Sequence, residues 1–462
     1  MKTTFRSMQV LASVVLLLTM LLTACAPQAT VAPTAAPTAV PTAVPTTAPS
    51  PVPPTATSVP PTVPPKPTDV PTAAGPTATV APTATQVPLG SETGSLTIWV
   101  NAERAPIMEA AGKAFTAKYN IPVRIQTMGF NDVRSNFEVA APVGNGPDII
   151  AGAHDWIGSL YTSGLLAPID LGDKAKSFDP IGLKAFTYNG VLVGMPYQVE
   201  ATALDYNKDL VPTPPTTWQE VKDIITKLMA DKKIDEGIAF VGGDFYGHYP
   251  VMTGFGGFAF GRDSAGNYDP KQVGFDSAGS IKAATELTSM IKAGLLKDGI
   301  TYDVAKDLFL KGKLPFWVNG PWEMDAIRKS GLKYGIALIP KIEQAARPFV
   351  GVQGFMVNKG SKNLLVAQAF LTEFVASDDV MMSLYKAQFG IPAWVPIRKL
   401  INDPDIQAFA DSVATGDPMP AIPEMGAVWS AANNAFALIY QQKGTPDSIM
   451  KDAATAIRGQ IK

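Results

Sequence analysis

From about residue 91 onward, short apolar runs alternate with stretches of helical periodicity. Three compact β-prone runs predict strands at residues 96–100, 122–126 and 148–151. The helical pattern recurs over three longer segments, at residues 106–118, 217–231 and 278–292. Thr217 and Glu220 form a capping box that begins the second of these helices, and Gly294 follows the third. After about residue 361 the pattern is mostly helical. This alternation predicts an α/β fold in which helices cover both faces of the sheets.

The first 25 residues have a different pattern. Residues 1–7 are basic through Lys2 and Arg6, and residues 8–22 are apolar but too short for a comfortable membrane span. The next residues, Leu22-Thr23-Ala24-Cys25, resemble a bacterial lipobox, in which the cysteine is lipidated and the bond before it is cut. An ordinary signal peptide with an incidental cysteine is the alternative. Because Cys25 is the only cysteine, we predict a lipoprotein signal peptide over residues 1–24 and an acylated (palmitate-bearing) Cys25.

Residues 25–90 form a proline- and threonine-rich tract. Of the 41 prolines in the chain, 18 lie between Pro27 and Pro88. The tract has no aromatic residue, and its charges are Lys66 and Asp69. Such a composition cannot bury enough apolar surface to offset the entropy of ordering, so it predicts a disordered, semi-rigid linker.

The remaining residues, 91–462, are numerous enough for two lobes with a sizeable core. The formal charge of the whole chain is −2, and loss of Lys2 and Arg6 with the signal peptide makes it −4. Scattered charges without a basic stripe argue against nucleic-acid binding. No later apolar run approaches the length of a membrane-spanning helix, so contact with the membrane is expected through the lipid anchor only. We also expect a monomer.

Catalytic chemistry has little support. The two histidines, His154 and His248, lack metal-ligand spacing, and there is neither a nucleophile elbow nor a phosphate loop. Residues 254–259 imitate a dinucleotide fingerprint, but residues 261–269 read as a turn and loop instead of the required helix. We therefore predict no catalytic residue, no metal site and no cofactor.

Two tryptophans stand where recognition is more expected than packing. Trp322 follows the turn Asn319-Gly320-Pro321, and Trp429 follows the loop of residues 420–423. Indole faces suit the apolar faces of pyranose rings, while carboxylates, amides and guanidinium groups pair with the hydroxyl rim. The sequence therefore indicates a sugar-binding cleft.

Residues 91–462, which contain these two tryptophans, resemble the maltose- and maltodextrin-binding proteins of ATP-binding cassette (ABC) importers. The matching segments occur in order at near-constant spacing: Ile98-Trp99-Val100-Asn101, Gly146-Pro147-Asp148-Ile149-Ile150 with Ala153-His154-Asp155, Ser163-Gly164-Leu165-Leu166-Ala167, Tyr206-Asn207-Lys208-Asp209-Leu210, Val318-Asn319-Gly320-Pro321-Trp322, Pro348-Phe349-Val350-Gly351-Val352, and Met419-Pro420 through Ile422-Pro423 to Trp429.

The resemblance implies a two-lobed periplasmic-binding-protein-like fold of type II, with a hinge and a cleft between the lobes. By analogy, lobe 1 comprises about residues 95–200 and 349–404, and lobe 2 comprises about residues 201–348 and 405–462. Ligand in the cleft would favour the hinge-closed state.

The resemblance also implies a set of ligand-binding positions. These are Asn101, Glu103, Arg104, Asp155, Glu200, Asp244, Tyr246, Tyr302, Trp322 and Trp429. Glu103 and Arg104 stand where the family usually has Asp and Lys, and Asp244 is one methylene shorter than the family's acid.

Five departures from the family pattern change the walls of the cleft. Glycines replace a tryptophan and a phenylalanine, Trp156 and Asn433 stand at arginine positions, and a serine replaces a tyrosine: Gly152, Gly247, Trp156, Asn433 and Ser430. Trp156 either fills the space left at Gly152 or is a buried wedge between helices. The resemblance therefore implies an inherited scaffold with an altered sugar preference.

The resulting expectation is a lipid-anchored substrate-binding component of an ABC importer, held outside the cell membrane, that captures maltose or a short maltodextrin and delivers it to permease subunits. The same scaffold binding trehalose or a branched glucan is an alternative. A carbohydrate-active enzyme using Glu200 and Asp244, and a surface adhesin or sensor, are weaker alternatives.

Overall fold

The computed structural model describes residues 89–461. The predicted signal peptide, the lipidation site Cys25 and almost all of the predicted linker lie outside the described residues. By their packing, all described residues belong to a single compact unit.

The strands are mostly short. In chain order they are β1 (Leu96–Val100), β2 (Val123–Thr127), β3 (Ile149–Ala153), β4 (Thr187–Tyr188), β5 (Val191–Leu192), β6 (Met195–Ala201), β7 (Ala203–Asn207), β8 (Ile238–Ala239), β9 (Phe260–Arg262), β10 (Tyr268–Val273), β11 (Phe316–Asn319), β12 (Tyr334–Ala337), β13 (Phe349–Val357), β14 (Ile391–Pro392) and β15 (Asp417–Pro418).

Helices follow or separate most of these strands. They are α1 (Ala105–Tyr119), α2 (Phe130–Ala140), α3 (Ile157–Thr162), α4 (Pro180–Ala185), α5 (Trp218–Ala230), α6 (Phe245–Gly254), α7 (Ala278–Lys292), α8 (Tyr302–Leu310), α9 (Met324–Ser330), α10 (Leu364–Ala369), α11 (Asp378–Gln388), α12 (Val395–Arg398), α13 (Pro404–Thr415), α14 (Met425–Tyr440) and α15 (Pro446–Gln460). Shorter turns of 3₁₀-helix lie at His154–Trp156, Gly172–Ser177 and Pro321–Glu323, and a π-helical turn at Phe370–Val375 continues α10.

The larger sheet has the strand order β14–β6–β13–β3–β1–β2, with β15 beside β13. β1 is parallel to β2 and β3, whereas β13 is antiparallel to β3 and β6. Every residue of β1, β3, β6 and β13 is buried. Strands buried on both faces are typical of a sheet covered by helices, as the sequence pattern predicts.

A second sheet has the order β12–β7–β11–β8, with β7 antiparallel to both of its neighbours. A single residue, Thr202, separates β6 of the larger sheet from β7 of the second sheet. The chain returns to the larger sheet at β13, directly after β12 in strand order. The α/β fold class is therefore confirmed, with two sheets joined by a one-residue crossing at Thr202 and by a longer return over residues 338–348.

Most elements predicted from periodicity lie within two residues of their observed bounds. The strand at residues 96–100 and the helix at residues 278–292 coincide with β1 and α7. At α5 the capping box is complete, because the Thr217 side chain accepts from the backbone N–H of Glu220 and the Glu220 side chain accepts from that of Thr217. Gly294, just past α7, has the positive φ of 75° that favours glycine at this position.

The expectation of a turn and loop over residues 261–269 is wrong in part, because this region is a hairpin. β9 and β10 pair in antiparallel fashion, with a register shift between Asp269 and Val273. The two strands lack apolar alternation, so periodicity does not reveal them. The Arg262 guanidinium, on β9, lies 4.0 Å above the Tyr268 ring of β10.

Candidate functional site: an aromatic and acidic cleft

The tryptophans fall into two groups. Five are buried at 6% exposure or less: Trp99, Trp156, Trp218, Trp317 and Trp394. Trp322 and Trp429 remain partly exposed. These are the two that their turn and loop positions predict to serve recognition.

Trp322 is held in place by its neighbours. Its ring lies against Gly320, where an added Cβ would stand 2.1 Å from the ring carbon Cζ3. Its indole N–H donates to the Tyr302 hydroxyl at 2.6 Å, and that hydroxyl donates to Glu323 at 2.9 Å. Glu323 in turn pairs with Lys306 at 2.8 Å. The Tyr302 hydroxyl is therefore engaged behind Trp322, where it orients the indole.

Tyr246, at the start of α6, joins Trp322 to the larger sheet. The Tyr246 and Trp322 ring centroids are 6.1 Å apart. A Cβ added to Gly351 of β13 would lie 3.3 Å from the Tyr246 hydroxyl oxygen and 3.3 Å from Glu200 Cγ. The absence of a side chain at Gly351 thus leaves Tyr246 and Glu200 facing a common space.

Glu200 lies at the end of β6 and is buried. Its carboxylate accepts from the side-chain amides of Gln198 at 2.7 Å and Gln353 at 2.9 Å. Burial raises the pKa of Glu200, and those two hydrogen bonds and the charge of Arg104 oppose the shift. Among the described residues, the amide oxygens of Gln198 and Gln353 have no hydrogen-bond partner. Such buried acceptors suit the hydroxyl donors of a ligand or water.

Asp155 and Trp429 form a second part of the site, joined to Tyr246 through the Phe349 ring. The Trp429 indole N–H donates to the Asp155 carboxylate at 3.0 Å. The neighbouring His154 accepts from the Val352 N–H at Nδ1, 3.0 Å away, so Nε2 carries the proton and donates to the Met419 carbonyl at 3.1 Å. Burial lowers the pKa of His154, which keeps the ring neutral. His154 therefore anchors the loop before α14 on the larger sheet.

Asn101, Glu103 and Arg104 form a connected group after β1. The Asn101 side chain donates to Glu103 and accepts from Arg104. Glu103 is exposed, whereas Arg104 is 2% exposed and lies 5.1 Å over the Tyr197 ring. Within the described residues, Arg104 Nε and the Tyr197 hydroxyl lack hydrogen-bond partners. Arg104 is thus buried beside Glu200 instead of being presented at the surface.

Asp244 has a structural engagement that the sequence did not reveal. It is the N-cap of α6, where its two carboxylate oxygens accept from the N–H groups of Tyr246 at 3.1 Å and Gly247 at 3.2 Å. The Asn433 side chain accepts from the Phe245 N–H at 2.9 Å. Burial raises the pKa of Asp244 to about 6. Two residues near the cleft, Asp244 and Asn433, therefore both stabilise the start of α6.

Trp156 fills the space left at Gly152. A Cβ on Gly152 would lie 2.0 Å from the Trp156 ring, and the Phe130 ring lies 5.0 Å from that ring on the other side. Of the two interpretations that the sequence left open, the structure supports filling of the Gly152 position. The Trp156 side chain is 4% exposed and packs within the hydrophobic core.

The acids of the site share one electrostatic environment. After burial, the charges of Glu200, Asp244 and Asp155 are the causes that raise the pKa of Tyr246. The structure thus brings together Asp155, Glu200, Asp244, Tyr246, Trp322 and Trp429, with Arg104 adjoining and Tyr302 behind Trp322. Sequence reasoning missed Phe349, Gly351 and Glu323 as site residues, although each belongs to or adjoins a motif that it had singled out.

Across residues 89–461, no group of three or more His, Cys, Asp or Glu side chains could hold a metal ion. In the same residues no helix has the length and apolarity needed to cross a membrane.

Half-buried aromatic rings beside buried carboxylates are groups with which proteins commonly bind small polar molecules. Residues 110–409 match the family of bacterial extracellular solute-binding proteins, and the chain belongs to that family. It is a family of binding proteins, and membership is consistent with the two-lobed fold class predicted from the sequence.

Similar proteins include several named for oligosaccharides. A galactooligosaccharide-binding protein of Bacillus subtilis is 30% identical over 80% of this chain and 90% of its own length. A maltotriose-binding protein of Pyrococcus abyssi is 30% identical over 70% of this chain and 69% of its own. A maltooligosaccharide ABC transporter solute-binding lipoprotein of Streptococcus pneumoniae is 27% identical over 80% of this chain and 90% of its own. The chain is therefore similar, over most of its length, to members of the solute-binding family that are named for oligosaccharides.

Proposed function

We propose that the protein captures a gluco-oligosaccharide of the maltose or maltodextrin type and delivers it to the permease of an ABC importer. The observation that carries the proposal is the pairing of half-buried indole faces, Trp322 and Trp429, with the buried carboxylates Glu200 and Asp155. Rings of this kind stack on the apolar faces of pyranoses, and carboxylates accept from their hydroxyl groups.

The sugar would bind through both groups at once. Trp322 with Tyr246 would set the position of one ring, and Trp429 the position of another. Asp155 and Glu200 would accept hydrogen bonds from sugar hydroxyl groups. The amide oxygens of Gln198 and Gln353, which lack partners among the described residues, offer further acceptors. Asn101, Glu103 and Arg104 would border the same end of the cleft as Glu200, since Arg104 influences the pKa of Glu200.

Ligand binding would close the cleft. We assign lobe 1 to residues 95–200 and 349–404 and lobe 2 to residues 201–348 and 405–462, with Thr202 at one crossing. A ligand that contacts both lobes shifts the equilibrium toward closure by its differential affinity for the closed state.

A β-galactosyl oligosaccharide is a second candidate, because a relative with 30% identity over 80% of this chain is named for galactooligosaccharides. Glucose and galactose differ in the direction of the C4 hydroxyl, so a carboxylate placed for one orientation loses its hydrogen bond with the other. Loss of a hydrogen bond to a charged group costs about 1.5–3 kcal/mol, or roughly a tenfold to hundredfold change in affinity.

A ligand panel tests both candidates. Residues 89–462 are titrated with maltose through longer maltodextrins, trehalose, a branched glucan and β-galacto-oligosaccharides, while tryptophan fluorescence and Tm are followed. A ligand at a hundredfold excess over Kd stabilises the folded state by about 2.7 kcal/mol, which gives a measurable rise in Tm. Absence of any response to the whole panel would sink the proposal, and a response to galacto-oligosaccharides alone would select the second candidate.

The protein is proposed to bind its sugar without cleaving it. Both Asp244 oxygens accept helix N–H groups and both Glu200 oxygens accept amide hydrogens, so neither carboxylate is presented as a free acid or base. Incubation with a bound oligosaccharide should release no reducing ends over hours. A steady release that is lost in Glu200→Gln would reassign the protein as a glycosidase.

We further propose that Cys25 carries the lipid that holds the protein, as a monomer, at the outer face of the membrane. One relative, from Streptococcus pneumoniae, is named a lipoprotein. The proline-rich linker would then determine how far the body reaches from the membrane to its permease.

A further inference from the structure

One arginine outside the predicted ligand set lies beside the cleft. Arg134 is on α2, and its Nη2 donates to Ser159 Oγ on α3 at 3.3 Å. A Cβ added to Gly426 of α14 would lie 3.3 Å from the same Nη2. The guanidinium therefore stands where three helices meet.

This position is next to a tryptophan already placed in the site. Gly426 and Trp429 are three residues apart on α14, so they lie on neighbouring positions of one helix face. The guanidinium carbon of Arg134 is also 6.0 Å from the Trp156 ring. Burial raises the pKa of Asp155, and the charge of Arg134 is one of the influences that oppose this rise. Arg134 thus adjoins the part of the site formed by Asp155 and Trp429.

The bonding capacity of Arg134 is only partly used. Nε donates to Glu138 Oε1 at 2.9 Å, an i,i+4 pair on the surface of α2. The Ser159 bond is long, and Nη1 has no hydrogen-bond partner among the described residues. Yet the Arg134 side chain is only 18% exposed. Arg134 therefore retains donor capacity close to the face of α14 that carries Gly426 and Trp429.

The chemistry of this corner complements a diol. Arg134 can only donate hydrogen bonds, and ionised Asp155 can only accept them. Each sugar hydroxyl can do both, so adjacent hydroxyl groups of one pyranose can accept from Arg134 and donate to Asp155. Trp429 supplies the apolar face between them.

We propose that Arg134 is a specificity-determining ligand residue, which donates hydrogen bonds to the hydroxyl oxygens of the sugar unit stacked on Trp429. The inference rests on the proposed function, since it assumes an oligosaccharide in the cleft. The competing explanation is that Arg134 only forms a surface ion pair with Glu138, which would contribute little to stability and nothing to binding.

Four variants separate these explanations. Arg134→Met removes the donors but keeps much of the apolar stem, and Arg134→Lys keeps the charge without the planar fork. Glu138→Gln breaks the ion pair and leaves the guanidinium in place. The matched control is Arg458→Met, which removes an arginine of α15 that is paired with Asp276. Affinity for whichever oligosaccharide the wild type binds most tightly is measured by fluorescence titration, and Tm is measured without sugar.

We expect Arg134→Met to weaken binding by about tenfold to a hundredfold and Arg134→Lys by less, with the Tm of both unchanged within a few degrees. Glu138→Gln and Arg458→Met should retain wild-type affinity. If Arg134→Met binds as tightly as the wild type, or if Glu138→Gln is as impaired as Arg134→Met, the inference is wrong while the proposed function stands. If the wild type itself binds no oligosaccharide, the proposed function fails and this inference with it.

Chemical modification gives an independent readout. Phenylglyoxal reacts with accessible arginines, and peptide mass spectrometry locates the adducts. Saturating sugar should protect Arg134 at least severalfold while leaving Arg458 as reactive as before. Equal modification of Arg134 with and without sugar, in a protein that binds the sugar, would overturn a direct contact.

Discussion

The indole nitrogen of Trp429 donates to the carboxylate of Asp155 at 3.0 Å, across 274 positions of the chain. The bond fixes the plane of the Trp429 ring, and it also provides one of the hydrogen bonds that oppose the rise in the pKa of Asp155 on burial. The Trp429 ring and the Asp155 carboxylate therefore hold each other in position.

Removal of either stacking ring should weaken sugar binding. We expect Trp322→Ala and Trp429→Ala each to raise Kd by about thirtyfold or more, as truncation of a central aromatic anchor commonly costs 2 kcal/mol or more. The control is Trp218→Phe, which removes a buried indole bonded to Glu286, far along the chain from either ring. It should lower Tm without changing Kd, as measured by calorimetric titration. Unchanged affinity in both alanine variants would mean that the ligand lies elsewhere.

Tyr302 should act through Trp322. Tyr302→Phe deletes the hydroxyl that accepts from the Trp322 indole and donates to Glu323. We expect a loss of about 1 kcal/mol in binding, smaller than that of Trp322→Ala, because the ring remains but its orientation is less restrained.

A double variant distinguishes this positioning role from direct contact. If Tyr302 acts only through the indole, Trp322→Ala with Tyr302→Phe should bind no worse than Trp322→Ala alone. Additive losses would instead assign Tyr302 a contact of its own with the sugar.

Asp205 should make stability depend on pH. It is fully buried on β7, and both of its carboxylate oxygens lack hydrogen-bond partners among the described residues. Burial is the largest cause that raises its pKa well above the usual range, and the charges of Asp405 and Glu323 add to the rise. A raised pKa in an acid means that the fold favours the protonated form. Its stabilising contribution is full below the unfolded-state pKa of about 3.9 and is lost as pH rises toward the folded-state pKa.

Asp205→Asn removes this titration while preserving shape. Urea unfolding should show the variant gaining stability relative to the wild type between pH 5 and pH 8. Asp209→Asn, at an exposed position paired with Lys333, should not change that slope. A variant that tracks the wild type at every pH would show that Asp205 does not titrate in this range.

The contact between Gly152 and Trp156 should be strict. Gly152→Ala places a methyl group within 2.0 Å of the indole, so we expect a loss of about 1–3 kcal/mol in the free energy of unfolding. Combining it with Trp156→Leu should recover part of that loss, since the smaller side chain leaves room. Denaturant unfolding of the two single variants and the double variant checks this, and simple additivity would contradict it.

The lipid anchor leads to a cellular prediction. Cys25→Ser should abolish incorporation of a labelled fatty acid and move the protein from the membrane fraction to the medium or the soluble exported fraction. Thr93→Cys in the same background places a thiol at an exposed position outside the lipobox and should restore neither acylation nor attachment. Retention of the Cys25→Ser protein at the membrane would assign its attachment to something other than the acylated cysteine.

Periodicity alone could predict β1, α5 and α7 because their capping and apolar spacing are local properties. It could not predict the β9–β10 hairpin, in which Phe260 and Val273 form a buried pair but the strands lack apolar alternation. Trp322 and Trp429 could be selected from their turn and loop positions. The capping role of Asp244 and the burial of Arg104 could not, because each depends on partners that tertiary packing brings close. Arg134 had no local signal, since only the approach of Gly426 places it beside the site.

The one-residue crossing at Thr202, between β6 and β7, limits which insertions the protein can tolerate. An extra residue there would shift the register of β7 by one and so reverse which of its side chains face each side of the sheet. It would also change the position of Glu200 relative to β7. Length variation is far better tolerated at the tip of the β9–β10 hairpin, residues 263–267, which is exposed. A circularly permuted fluorescent protein inserted at that tip should leave sugar capture intact, whereas the same insertion at Thr202 should abolish it. Small labels on either side of Thr202 are therefore suited to measuring closure of the two lobes. A larger fused protein is better attached at the tip of the hairpin.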